Sequence, residues 1–534
     1  MFRWLKKAAM NISQGYHGKP YTNTTHVSDI NNPLESVQVS DKLNENLVYI
    51  QNELGKNMGI FYRNFKIGSN ENKISALLVA VSGMVEVTLI NVNILKPLMN
   101  MDLSKNKDDL MMTLKESVLC VVEIEIEEDL KALAKHLFVG KVVLFLEGEN
   151  KALLITANAW EMRGIEQPVT ETVIRGPRDS FNEDLATNLS LLRRRIRDPK
   201  LRCEVMFLGV QSHTKVVVTY LDGIVNEEVL KEVYKRLENI RIDAILETGF
   251  IEQLIEDAPF SLFPTVGNSE KPDIVASQLL EGRVAIFVDG TPLVLTVPYL
   301  LANNFQVSED YYSRPLYVNF IRVLRVFSFF IAVLLPGSYV AVNYYHTILI
   351  PFALLVRQAT LRADVPFQLY IEITIMLLVF EIIRESGLRM PKPIGQAVSI
   401  VGALILGQAA VDAGLVGIPV VVIVALVGIA AFPINPLSEA IIILRFLFIF
   451  VGATLGLYGV LVLFMFILGH LASLRSFGVP YAAPIFPIYL NDWKDTVLRF
   501  PLWLLGRRPE TINSPNIIRQ KWGGETGEGR RGKE

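Results

Sequence analysis

Glu372, Gln408 and Asp412 are the side chains whose types and placement could do chemistry in this sequence. Each lies within an apolar run, where a charged group at mid-bilayer depth costs about 2.5–3.5 kcal/mol unless protein or water covers it. A carboxylate held there can meet a passing cation, so these three form a candidate ion path. Glu372 lies deepest in its run, while Gln408 and Asp412 sit one helical turn apart and share a face. Interfacial anchoring is the plainer role for Asp412, Arg384 and Glu439. Glu381 and Arg384 are close enough along a helix to pair. Elsewhere the chain holds no phosphate-binding loop, zinc-protease helix, nucleophile elbow or dinucleotide fingerprint. Its six His residues are scattered, without a metal-ligand spacing. We therefore expect a protein that is not an enzyme, with no cofactor and no bound metal.

The elements that must position these residues are transmembrane helices. Of the 534 residues 51% are hydrophobic and mean hydropathy is +0.35, and this apolar character concentrates late in the chain. Between Lys392 and Arg475 the formal charges are Asp412, Glu439 and Arg445 alone. A helix needs about 20 apolar residues to cross the hydrocarbon. Spans are expected at 318–343, 366–386, 393–414 and 437–471, the last long enough to be tilted, kinked or split. The shorter segments 348–356 and 418–432 read as partial passages, tolerated where protein buries them. Arg314, Arg322 and Arg325 flank the first span, Arg384, Arg389 and Lys392 fill a tight loop, and Arg475, Lys494, Arg499, Arg507 and Arg508 follow the last. If all three groups face the cytoplasm, the number of full crossings is even. Two small-residue stripes, Ala403, Gly407, Ala410, Gly414 and Gly452, Gly456, Gly459, recur at helical spacing and are candidate helix-packing faces, within one chain or between copies.

The region before the membrane contains an internal repeat. LNENLVYIQNEL (43–54) is set against FNEDLATNLSLL (181–192), and FKIG (65–68) against FLG (207–209). LLVAVSGMV (77–85) answers VVTYLDGIV (217–225), and GKVVLFLEG (140–148) answers GRVAIFVDG (282–290). The last pair reads as β-hairpins turning at Glu147-Gly148 and Asp289-Gly290. Val225, Val229, Val233 and Leu237 mark the buried face of an intervening helix. The expected fold is thus an α/β soluble region of two repeated α/β units, followed by an all-α multi-span transmembrane bundle. Its parts are a disordered polar tail at 1–40, units at 41–165 and 175–300, a transmembrane helical domain at 315–475 and a C-terminal tail at 476–534, flexible from 507. The charged run 175–199 reads as a solvated helix laced with ion pairs, with a joint between the copies or a membrane contact left open.

A net charge of −2 argues against a nucleic-acid partner. Cys120 and Cys203 form no disulfide framework, which fits a reducing compartment. Arg3, Lys6 and Lys7 precede no apolar core, so the N-terminus does not read as a secretory signal and the soluble units are expected to stay on the synthesis side.

Three stretches carry a resemblance: the charged run 175–199, TVPYLLANNFQVSEDYYSRP (296–315) and SGLRMPKPIGQAVSIVGALILGQAAVDAGLV (386–416). They resemble the A subunit of the GerA-type spore germinant receptors, and the likeness extends from about residue 40 to 500. The resemblance implies a protein of the spore inner membrane, assembled with a transporter-like B subunit and a lipoprotein C subunit. Such a complex senses nutrients and triggers cation release and germination, and its A subunits are expected to form homo-oligomers, as an ion-conducting ring. The family assigns the nutrient to the B subunit, so no ligand residues carry over. A non-conducting scaffold and a related sporulation membrane paralogue remain the alternatives.

Overall fold

The computed structural model describes residues 37–68, 73–101, 110–157, 168, 171, 173–363, 365–390, 407–496 and 498–519. Most of the expected 393–414 span, with Ala403 and Gln396, lies outside the described residues.

Ten strands form two five-stranded antiparallel sheets. The first contains β1 (Ile60–Ile67), β2 (Ile74–Val81), β3 (Ile124–Glu127), β4 (Lys141–Leu146) and β5 (Ala152–Thr156), in the order β1-β2-β4-β5-β3. The second contains β6 (Leu201–Leu208), β7 (Thr214–Leu221), β8 (Gly267–Ser269), β9 (Val284–Val288) and β10 (Val294–Val297), in the equivalent order β6-β7-β9-β10-β8. Central strands are apolar throughout because both faces are covered. In β2, Ala76, Leu78 and Ala80 enter one core, and Leu77, Val79 and Val81 the core on the other face. In β9, Ala285 and Phe287 divide from Ile286 and Val288 in the same way. That separation is the period of two of a strand. The turns after β4 and β9 place Gly148 and Gly290 at φ +87° and +90°, where a side chain would be strained.

A buried asparagine marks the repeat more sharply than the strands do. Asn46 Oδ1 accepts from the Ser40 amide at 2.8 Å, and its Nδ2 donates to the Ser40 carbonyl at 2.7 Å. Asn188 does the same to Asn182, at 2.8 and 2.6 Å. Helix Leu43–Leu54 therefore corresponds to Leu185–Arg195, and LNENL aligns with LATNL rather than with FNEDL. The sequence pairing slipped by four residues because both motifs carry an Asn-Glu pair, whereas burial selects the second Asn.

The Leu185–Arg195 helix also joins the units. Arg193 is 2% exposed, and its Nη2 donates to the Met58 carbonyl and to Asn57 Oδ1 (3.2 Å). Ser190 donates to the Gly83 carbonyl, and the Arg202 guanidinium to that of Glu53 at 3.0 Å. The solvated reading of 175–199 holds for the Arg195–Asp179 pair (2.6 Å) and fails for Arg193, whose partners lie more than a hundred residues away.

The helical region starts at Pro315, whose missing N–H costs nothing in the first turn. Among the described residues two stretches are long and apolar enough to cross a membrane, Pro315–Tyr345 and Ile418–Ser473. The second is interrupted at Ile434 and again at Gly456, which stands at φ +66°, ψ −156°. An unbroken 36-residue helix over Ser438–Ser473 would be about 54 Å long. Yet the segment just before it, Phe432–Leu437, packs on Leu301–Phe305, and Tyr481 just beyond it accepts from the Leu301 amide at 2.9 Å. Both ends meet the same place, so the helix folds back on itself at Gly456. Contacts trace the path: Arg445 reaches the Ala332 carbonyl (3.3 Å), Gly452 abuts Gly337, and Tyr345 lies on Gly456. The chain then returns with Phe464 against Phe330 (6.1 Å) and His470 Nε2 beside Ser261 Oγ (3.0 Å). The Tyr345 hydroxyl is shared by the Ala453 and Thr454 carbonyls, at 2.9 and 3.0 Å, which the break releases from the helical ladder.

This path redistributes the second glycine stripe. Gly452 faces the Pro315–Tyr345 helix, Gly456 is the apex, and Gly459 lies against Val451 and Leu455 of the outgoing limb. They are not one face of one helix. In the first stripe Gly407 approaches Val421 at ordinary distance, and Ala410 is half-buried beside the same cluster. Gly414 stands at φ +65° in the turn that ends the helix, off any helical face. The C-terminal tail is also revised. Residues 498–519 dock on the second unit, with Ile512 fully buried, Asn226 Nδ2 donating to its carbonyl (2.7 Å) and Arg508 Nε donating to that of Leu280 (2.7 Å).

A methyl at Gly337 would overlap the Phe448 carbonyl, and one at Gly452 the Gly337 carbonyl, whereas one at Gly469 meets open space. Gly337→Ala and Gly452→Ala should each lower stability by about 1–3 kcal/mol through overpacking. Gly469→Ala should be neutral, as read by thermal unfolding of the full chain in detergent.

Candidate functional site

Charged residues gather in three places on the helical region. Helix Leu369–Arg389 starts beside the end of Pro315–Tyr345, with Tyr370 and Tyr344 rings 6.5 Å apart, and runs back towards the α/β units. On its first turn Glu372 is fully buried. Its Oε2 pairs with Arg362 Nη2 at 3.1 Å, and its Oε1 accepts from the Gly417 amide at 2.5 Å. That amide opens the Ile418–Ala431 helix, so the carboxylate also meets the positive end of a helix dipole. A side chain at Gly417 would come close to both Arg362 and Glu372, each 3.2 Å from its would-be Cβ, so glycine lets the pair approach that amide without displacement.

Two and a half turns further, Glu381 Oε1 bonds Arg445 Nη1 at 3.0 Å and its Oε2 lies 2.9 Å from Arg384 Nη2. Two guanidiniums share one carboxylate. Arg445 is fully buried between three helices, and its Nη2 has no partner among the described residues. Gln408 and Asp412 hydrogen-bond each other at 3.0 Å on an exposed surface.

The third gathering lies where the α/β units meet the helices. Arg322 and Arg325, inside the first helix, are 3% and 7% exposed and converge on Asp310. Arg322 Nε reaches Asp310 Oδ2 at 2.9 Å, and its other nitrogens reach the Asp495 carbonyl and carboxylate. Tyr311 donates to Asp495 Oδ2 at 3.1 Å, and Arg499 lies over the Tyr311 ring at 5.4 Å. Burial pushes the Asp495 carboxyl up to about 6, against the opposing pull of Arg322. The cluster ties the neighbouring segments 305–311 and 319–325 to 495–499, some 170 residues later in the sequence.

The family described as Bacillus/Clostridium GerA spore germination protein matches residues 48–511. The chain belongs to this family. Spore germination protein KA of Bacillus subtilis (strain 168) is 42% identical over 486 residues, covering 91% of this chain and 89% of its own length. The uncharacterized membrane protein YfkQ of the same organism is 40% identical, covering 90% and 93%. The crystal structure of the N-terminal domain of the A subunit of the Bacillus megaterium spore germinant receptor GerK3 is 35% identical, covers 50% of this chain and 98% of that domain, and gives a TM-score of 0.41.

In this GerA-family chain the three candidate path residues divide. No hydrogen bond or ion pair joins Glu372 to Gln408 or Asp412 among the described residues. Glu381 does pair with Arg384, as helix spacing suggests, and takes Arg445 as well. Sequence reasoning places Arg322 and Arg325 among the charges that flank the first span, because their partners Asp310 and Asp495 are invisible to a window. The available signal was their i, i+3 spacing within an otherwise apolar helix.

Removing one partner of a buried pair costs about 3–5 kcal/mol, because the other charge is left uncovered. Glu381→Leu, which leaves the fully buried Arg445 without a carboxylate, should therefore destabilise the detergent-solubilised chain by that order, while Arg389→Met, at an exposed pair with Glu385, leaves its unfolding temperature unchanged. The raised Asp495 value means that folding favours its protonated form. That stabilisation, about 3 kcal/mol, is complete below the ordinary 3.8 and is lost as pH rises through about 6. Unfolding temperatures measured from pH 7.5 to 5 should rise in the wild type and rise less steeply in Asp495→Asn, where Glu252, pushed up to about 7 by burial, still contributes.

Proposed function

We propose that this chain is the membrane subunit of a nutrient germinant receptor in the spore inner membrane. In this reading it assembles as a homo-oligomer with a transporter-like B subunit and a lipoprotein C subunit, and forms or gates a cation-conducting path; it has no catalytic role. Family membership carries the germination assignment, and the name of the 42% identical relative, a spore germination protein, supports it.

The alternating course of the helices supports a multi-pass bundle. Pro315–Tyr345 leads away from the α/β units, Leu369–Arg389 comes back, and the limbs either side of Gly456 go out and return. Ile418–Ala431 runs alongside Leu369–Arg389, with Gly417 at Glu372 and Gly428 against Phe380. Both flanks then lie on one side, with Arg384, Arg389, Arg475 and Arg507, and the positive-inside rule makes that side cytoplasmic. Asp412 and Gln408 supply the argument for oligomers. An exposed carboxylate next to apolar surface is costly in lipid, and a second copy or a water path relieves it. A non-conducting scaffold is favoured by the other carboxylates, because Glu372 and Glu381 are committed to Arg362 and Arg445 within one chain.

Spores carrying Asp412→Asn in this chain as their only germinant receptor should release cations about ten-fold more slowly after nutrient addition, equivalent to about 1.4 kcal/mol in the barrier. Unchanged release, together with a monomeric chain in detergent, would turn the assignment to the scaffold.

A further inference from the structure

The segment after the last helix has its polarity inverted. Between Ile485 and Leu504 most outward residues are apolar: Ile488 is 65% exposed, Leu490 63% and Trp503 59%, with Phe486, Leu502 and Leu504 near one half. Of the four charged residues of the segment only Lys494 is exposed, and the other three face inward. Arg499 is 3% exposed, Asp495 sits under Arg322 and Tyr311, and Asp492 Oδ1 and Oδ2 accept from the Glu510 and Thr511 amides at 2.9 Å each. A segment surrounded by water would turn these charges outward. A patch this apolar on a folded chain marks a surface that something covers.

Its position says what covers it. The Arg499 amide donates to Asn319 Oδ1 at 2.5 Å, and Arg322 holds the Asp495 carbonyl. The segment is thus pinned level with the first two turns of Pro315–Tyr345, where the chain leaves the α/β units. At that level the outer face of the helix is also apolar, with Leu316 87% and Phe320 66% exposed. Exposed apolar residues go on along the same helix beyond that level, such as Val323 and Phe327. Trp493 and Trp503, with Tyr489 and Lys494 among them, are the residue types that settle at headgroup depth.

The geometry points to residues 485–504 as an in-plane membrane-interface segment, which seats the second α/β unit on the headgroup and upper acyl region of the bilayer. Its occupant is lipid, and it lies along the surface without crossing. The assignment rests on the spanning reading of the helices. It makes the charged cluster of Asp310, Arg322 and Asp495 the link between a surface-bound collar and the first helix.

Trp503 is its natural reporter. In the full-length protein Trp4, Trp160, Trp493 and Trp522 are replaced by Phe, and the chain is reconstituted into vesicles whose lipids carry bromine at shallow or at deep acyl positions. Trp503 emission should be lost to the shallow quencher and less to the deep one. Ile488→Trp with Trp503→Phe should repeat that order, and covers the case in which the first variant folds poorly. Phe327→Trp with Trp503→Phe, exposed near the middle of the Pro315–Tyr345 helix, serves as the spanning control. If it is quenched at depth while the reporters at 503 and 488 are not, the interface segment is overturned and the spanning helices stand. If none is quenched, both readings fall. Disulfide cross-links between copies through Leu502→Cys, in a chain without Cys120 and Cys203, would assign the patch to a second copy and overturn the lipid assignment.

Discussion

The helical region leaves the second α/β unit at Pro315 and must come back to it at Arg475, and the fold-back at Gly456 makes this closure possible. A continuous apolar helix would carry its C-terminal end tens of ångströms from the unit it has to rejoin. Reversal at one residue needs a backbone that L side chains rarely adopt, and it releases carbonyls that must find donors where water is scarce. Gly456 meets the first need and the Tyr345 hydroxyl the second. Contact between Gly337 and Gly452 then lets the outgoing limb lie directly on the first helix. In lipid, where apolar side chains gain little from each other, such close approach supplies much of the attraction.

With the path closed, the placement of charge follows. Arg362, Arg384 and Arg445 each find a carboxylate, because an unpaired guanidinium in a low-dielectric interior costs far more than a packed pair. Glu372 ties the start of the Ile418–Ala431 helix to Arg362, and Glu381 ties Leu369–Arg389 to the outgoing limb. These pairs hold register between helices. Gln408 and Asp412 are left on the outside, where among the described residues they pair with each other.

Events in the α/β units reach the helices through a narrow set of contacts. Asp310 and Asp495 hold Arg322 and Arg325 on the first helix, Ser261 meets His470, and the Ser476 hydroxyl bridges Thr265 and Tyr299. Each of these lies on the second unit or on the segments that return to it. The first unit is coupled through Arg193 and the Leu185–Arg195 helix.

Periodicity, turn chemistry and composition depend on neighbours in the chain, and these were legible without coordinates. The two units, the hairpins turning at Gly148 and Gly290, the buried face of Val225, Val229, Val233 and Leu237, and the apolar stretches at 315–345 and 438–473 all belong to this class. Tertiary structure decided whatever depended on a partner far away. Arg193 and Arg322 look like solvated or flanking charges until Met58 and Asp495 are brought to them, and Arg445 is a charge inside an apolar run whose partner, Glu381, lies on another helix. Glycines at i, i+4 and i+7 are written identically whether they form one helix face or surround a reversal. Only the return of the chain to Leu301 at Tyr481 tells the two apart. The helical region that carries Glu372 and Asp412 was thus apparent from hydrophobicity alone. Which of its polar groups are satisfied within the chain was set by packing, because desolvation selects partners across space and leaves no local mark.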